Sequence, residues 1–153
     1  MKDKKAGKPM IVLLVEDSPG DVRLTREAFR SAEADIDLHV AIDGVEAMAY
    51  LRSDRPDPGT PRPDLILLDL NLPKMDGREV LAEIKADPAL KTIPTIVLTT
   101  SDAEADVAKS YELQANAFLT KPVRLDAFET LVGSISDFWL GKATLPAKQP
   151  QDG

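Results

Sequence analysis

The 153-residue sequence has no cysteine, which excludes disulfides, thiolate catalysis and cysteine-ligated metal sites. It has one histidine, His39, so the ligands for a zinc site are lacking and a histidine phosphotransfer role has little to rest on. No apolar run approaches the roughly 18 residues needed to span a bilayer. Positive charge is also short, with 19 Lys and Arg against 26 Asp and Glu and a formal charge of -7. A basic surface for DNA or anionic membranes is therefore not expected, and the partners should be proteins. The length suits one globular domain and no separate output domain. The basic start at 1–8 precedes a short apolar stretch that ends in two acids, which reads as a strand and not as a signal peptide. These features together predict a soluble, cytoplasmic protein.

What the chain does have is a regular alternation of short apolar runs with longer segments spaced three and four, the pattern of βαβ units and a parallel sheet. Strands are expected at 10–15, 36–42, 65–69, 95–99 and 117–119. The second alternates Ile36, Leu38, Val40 and Ile42 with Asp37, His39 and Ala41, which predicts an edge strand with one wet face and an exposed His39. Ser18, Pro19 and Asp21 read as N-cap, first-turn proline and acidic capping partner of a helix running to about 32. Asp43 and Gly44 open a helix to about 52, and the prolines and glycine of 53–63 mark a surface loop. Further helices are expected at 78–86, ended by Asp87-Pro88, at 102–113, and from 123 to about 140. The domain spans 10–140, with a flexible segment at 1–9 and a mobile tail at 141–153.

Three strand ends carry chemistry. Glu16 and Asp17 follow the first run, Asp69 closes the third, and Lys121-Pro122 follows the fifth. In a parallel sheet these ends meet in one crevice, the usual ligand site of open α/β sheets. Each feature alone has a bland reading. An acidic pair is often a helix cap, a Lys-Pro a surface turn, and Thr99 a β-branched strand residue. Their occurrence together is what carries weight.

Glu16-Asp17, Asp69 with Asn71 and Pro73, Thr99, and Lys121-Pro122 resemble, in order and spacing, the signature of the response-regulator receiver domain of two-component systems. The segments Leu98 to Ser101, Tyr111 to Leu113 and Phe138 to Leu140 are similar to the small single-domain regulators of bacterial phytochrome kinases. The resemblance implies a flavodoxin-like, doubly wound sheet of five parallel strands, order 2-1-3-4-5, with five helices. It implies that Asp69 accepts a phosphoryl group from a sensor histidine kinase, in this narrower group a bacteriophytochrome. A Mg²⁺ would be held by Glu16, Asp17, Asp69 and the backbone carbonyl of Asn71. Lys121 and Thr99 would bind phosphoryl oxygens, and Phe118 would change rotamer with the switch. Thr100 stands where receivers often have alanine, and Gln114 where they usually have glycine; neither removes a chemical group from the site.

In the last helix Leu125, Phe128, Val132, Ile135 and Trp139 form one apolar stripe, expected to be core. Leu131, Phe138 and Leu140 flank it. With Phe128, Leu131, Phe138, Trp139 and Leu140 as candidate surface, the resemblance implies a homodimer. Signalling would pass by protein contact or onward phosphotransfer. The alternatives are a receiver-fold adaptor that works without phosphorylation and a Mg²⁺-dependent phosphatase with an aspartate nucleophile. The phosphatase would need a second aspartate two residues after Asp69, where this chain has Asn71.

Overall fold

A computed structural model describes residues 9–52, 61–99, 108, 111–112, 115–122 and 124–142, with the backbone alone for 125 and 140–142. The helix expected at 102–113 lies largely outside the described residues. So do Thr100, Gln114, the segment 1–8, the loop 53–60 and the tail from 143.

The described chain runs β1 (Met10–Val15), α1 (Pro19–Ser31), β2 (Ile36–Ala41), α2 (Gly44–Leu51), β3 (Leu65–Leu68), α3 (Gly77–Ala86), β4 (Thr95–Thr99), β5 (Ala117–Thr120) and α4 (Leu125–Ile135). A π-helical turn, Ser136–Lys142, continues α4. The strands are all parallel in the order β2-β1-β3-β4-β5, as the resemblance implied. β2 is an edge strand, as its alternation implied.

Parallel strands covered on both faces must be apolar on both, and β1 and β3 are. Leu13, Val15, Ile66, Leu68 and Val97 face one way, against α2 and α3. Val12, Leu14, Leu65, Leu67, Ile96 and Leu98 face the other, against α1 and α4. Successive side chains alternate between two cores, one on each side of the sheet. The order reverses at β1, whose neighbours are β2 and β3, so the crevice beyond the C-terminal ends of β1 and β3 is the topological switch point.

His39 departs from the sequence reading. Instead of standing free, it is half-buried, with its ring centroid 5.7 Å from that of Tyr50 and Nε2 3.2 Å from Asp37 Oδ2. The Tyr50 hydroxyl donates to the Pro61 carbonyl at 2.8 Å, and this arrangement closes over the edge strand. Phe128 is also corrected. At 4% exposure it belongs to the core between α4 and the sheet and offers nothing to a dimer surface. Leu131 and Trp139 pack partly against the same core, while Phe138 is 51% exposed, its ring edge-on to Trp139 at 5.3 Å. The side chain of Leu140 lies outside the described residues.

Candidate functional site

The acids sit where strands end and cannot drift. β1 carries Glu16 to the C-terminal end of the sheet, and its N–H donates to the Ala41 carbonyl of β2 at 2.9 Å. The Asp69 N–H donates to the Val15 carbonyl at 3.1 Å, so the ends of β1 and β3 are tied side by side. One carboxylate oxygen from each of Glu16, Asp17 and Asp69 falls within 4.8 Å of the others. Asp17 is exposed, whereas Glu16 and Asp69 are 2% and 7% exposed. Oxygen-only donors in this number suit a hard divalent cation such as Mg²⁺, and no nitrogen or sulfur ligand stands among them.

The turn after β3 is built to hold Asp69. The Asn71 N–H donates to Asp69 Oδ1 at 3.1 Å, and the Asn71 amide donates to the Thr99 hydroxyl at 3.3 Å. Gly77 opens α3 directly behind Asp69. A β-carbon there would lie 2.3 Å from the Asp69 carbonyl oxygen, a backbone atom that cannot yield, so only glycine fits. Asp76 and Glu79 cap the same helix as a reciprocal capping box. The Asp76-Gly77 pair was a signal in the sequence that composition alone did not decode. Lys74, in the same turn, adopts a left-handed φ of 64° and reaches Asp43 at 3.6 Å.

Lys121 enters from the end of β5, where its N–H donates to the Thr99 carbonyl at 2.8 Å. The residue is 9% exposed, and its ammonium donates to Glu16 Oε2, to Asp21 Oδ2 at 2.8 Å and to Asp69 Oδ2 at 3.3 Å. Burial works against the lysine charge. The bonds to Asp21 and Glu16 and the fields of Asp69 and Glu16 outweigh it and hold Lys121 above its ordinary pKa. Three carboxylates share one ammonium, so negative charge is left in excess. Glu16 is the deepest of the three, and burial, aided by repulsion from Asp69, pushes it up to about 7 against the pull of Lys121.

The fold thus brings together Glu16, Asp17, Asp69, Asn71, Thr99 and Lys121. Phe118 lies on β5, partly buried against the α2–α3 core, and its N–H donates to the Tyr111 hydroxyl at 3.3 Å. Thr100 lies outside the described residues. Asp21 is the residue the sequence reading misplaced. Its backbone N–H, not its carboxylate, completes the cap with Ser18 Oγ at 3.2 Å, which leaves the carboxylate for Lys121.

Residues 12–133 match the family model described as the response regulator receiver domain. The chain belongs to the receiver family. This receiver is 52% identical to response regulator Rcp1 of Synechocystis sp. over 139 residues, which are 91% of this chain and 95% of that protein. The Mn²⁺-bound crystal structure of Rcp1 superimposes with a TM-score of 0.84 over 91% of this chain and all of that one. The phosphorylated cyanobacterial phytochrome response regulator RcpA is 49% identical, with a TM-score of 0.86, covering 92% of this receiver and 100% of RcpA. The bacteriophytochrome response regulator RtBRR is 38% identical, with a TM-score of 0.71 over 94% of this chain and 86% of that one. The receiver is therefore a two-component signalling protein homologous to phytochrome response regulators.

Proposed function

We propose that Asp69 is the phosphoacceptor, taking its phosphoryl group from a histidine kinase of the bacteriophytochrome type. The observation that carries this is the seat of Asp69. It is a carboxylate at the switch point, fixed by the Asn71 N–H, facing Lys121, and grouped with Glu16 and Asp17. In the transfer an Asp69 oxygen forms a bond to phosphorus as the bond from the kinase histidine nitrogen breaks, leaving an acyl phosphate on the receiver. Glu16, Asp17 and Asp69, with the backbone carbonyl of Asn71, would hold a Mg²⁺ whose charge offsets repulsion among the acids and the arriving phosphoryl oxygens.

Lys121 supplies an ammonium beside Asp69 and would neutralise phosphoryl charge as it builds. Thr99 is fully buried at the end of β4, so its hydroxyl would reach a phosphoryl oxygen by a local shift, donating its own proton while its oxygen accepts from the Asn71 amide. A phosphoryl group brings about 1.5 to 2 negative charges and can drive such a shift. Phe118 follows β5 and reports it at the sheet edge. Without a hydroxyl, Phe118 responds by packing alone.

The receiver turns over no outside substrate in this reading. Its own chemistry is acceptance of the phosphoryl group and hydrolytic loss of it. It acts in the cytoplasm as a homodimer through the end of α4 and the π-helical turn, where Phe138 is exposed, and passes the signal by protein contact or onward phosphotransfer without binding DNA. The test is phosphotransfer from the purified, ³²P-labelled autokinase core of a bacteriophytochrome. Label should move to the parent receiver within minutes and not to Asp69→Asn. Transfer to the variant at the parent rate would refute the assignment.

A further inference from the structure

The first turn of α1 carries a carboxylate with no part in the metal cluster. Glu16, Asp17 and Asp69 make up that cluster, whereas Asp21 Oδ2 lies 2.8 Å from Lys121 Nζ. Asp21 is not needed to build its own helix. Its N–H donates to Ser18 Oγ at 3.2 Å and its carbonyl accepts from Thr25 Oγ1 at 2.7 Å, and both bonds use backbone atoms. An acid so near the N-terminus of α1 also sits favourably in the helix dipole. The other partners of Lys121 have further work. Glu16 belongs to the metal set, and the Asp69 oxygen facing Lys121 is the atom that reacts or lies beside it.

We propose that Asp21 is a positioning residue for phosphoryl acceptance, the one carboxylate that stays on Lys121 when Glu16 turns to the cation and Asp69 carries the phosphoryl group. The ammonium has three donors. At rest they serve Glu16, Asp21 and Asp69. During transfer the donors to Glu16 and Asp69 become available to phosphoryl oxygens, while the third stays on Asp21. Lys121 then presents a fixed pair of donors instead of swinging on its four-carbon stem. Asp21 also links the site to α1, which packs on α4 across the same face of the sheet.

This inference rests on the phosphoacceptor reading of Asp69, and two measurements separate the two claims. The first is the single-turnover rate of phosphoryl-adduct formation, by intact mass, with Mg²⁺ and acetyl phosphate in the parent, Asp21→Asn and Asp21→Glu. Asp21→Asn is expected to fall about tenfold while remaining folded with only a small drop in melting temperature, and Asp21→Glu to recover most of the rate. The second is lysine-selective ¹³C NMR of the Mg²⁺-saturated, unphosphorylated protein. The two ε-protons of Lys121 should be inequivalent in the parent and merge in Asp21→Asn. A rate within twofold of the parent, a loss that Asp21→Glu does not rescue, or ε-protons that stay distinct in Asp21→Asn overturns the inference. No adduct on the parent, together with merged ε-protons in the variant, sinks the phosphoacceptor reading and leaves the Asp21 anchor of Lys121 standing.

Discussion

The amide of Asn71 donates to the Thr99 hydroxyl at 3.3 Å, joining the turn that holds Asp69 to the end of β4. The hydroxyl is the acceptor in this bond, and donation to an arriving phosphoryl oxygen uses the hydroxyl's own proton. Thr99→Val keeps the β-branched shape in a fully buried strand position and removes only the hydroxyl. The variant should still form the adduct, at a cost of about 1 kcal/mol in stability, since Asn71 is exposed and its amide can turn to water. Amide chemical shifts of β4 and β5 are expected to move on phosphorylation of the parent and to stay near their resting values in the variant. Full-size shifts in the variant would remove Thr99 from the switch.

Glu16 gives the metal-free protein a pH signature. Its folded pKa is raised from 4.5 to about 7, so the folded state holds a proton that the unfolded chain releases. Below about pH 4.5 both states are protonated and the stabilising contribution is fully present. It is lost as pH rises toward about 7, and the loss is on the order of 3 kcal/mol. Urea unfolding of Glu16→Gln, compared with the parent without divalent cations, should lack this fall between pH 5 and pH 7. Saturating Mg²⁺ should flatten the parent curve as well, because binding requires the ionised carboxylate.

Gly77 makes the turn behind Asp69 possible. In Gly77→Ala the new β-carbon meets the Asp69 carbonyl oxygen at 2.3 Å, and backbone must move. The expected cost is about 2 to 3 kcal/mol by urea denaturation. Phosphorylation should slow as well, since the carboxylate shifts with its main chain. A stable variant phosphorylated at the parent rate would mean that the approach is looser than the geometry states.

Phe138 is the exposed aromatic beside the partly buried Trp139. Changing both to serine should convert a dimer to a monomer in sedimentation velocity at micromolar concentration. Phe128→Ala should instead lower stability by about 3 to 5 kcal/mol, because that side chain fills the core. An unchanged sedimentation coefficient for the double serine variant would remove the π-helical turn from any interface.

The parallel α/β class was legible in the alternation of apolar runs with helical segments, whereas the strand order came from the resemblance carried by the acids after β1 and β3 and the lysine after β5. The caps of α1 and α2 were legible too, since Ser18 and Asp43 act locally. Non-local partners were not. Nothing near Asp21 announces a lysine one hundred residues away. His39 reads as polar-side by alternation, yet Tyr50 from α2 covers it. Phe128 was read both into the apolar stripe that marks core and onto the candidate surface, and its burial places it in the core. Gly77 required knowing how closely two backbones approach, which spacing does not encode.

The central claim is that Asp69 carries the phosphoryl group. Intact-protein mass after incubation with Mg²⁺ and acetyl phosphate tests it most directly. The parent should gain one phosphoryl group, and no gain should appear in Asp69→Asn or after chelation of the metal. A parent that gains nothing under conditions where another receiver is phosphorylated, or an adduct that survives Asp69→Asn, would contradict the account.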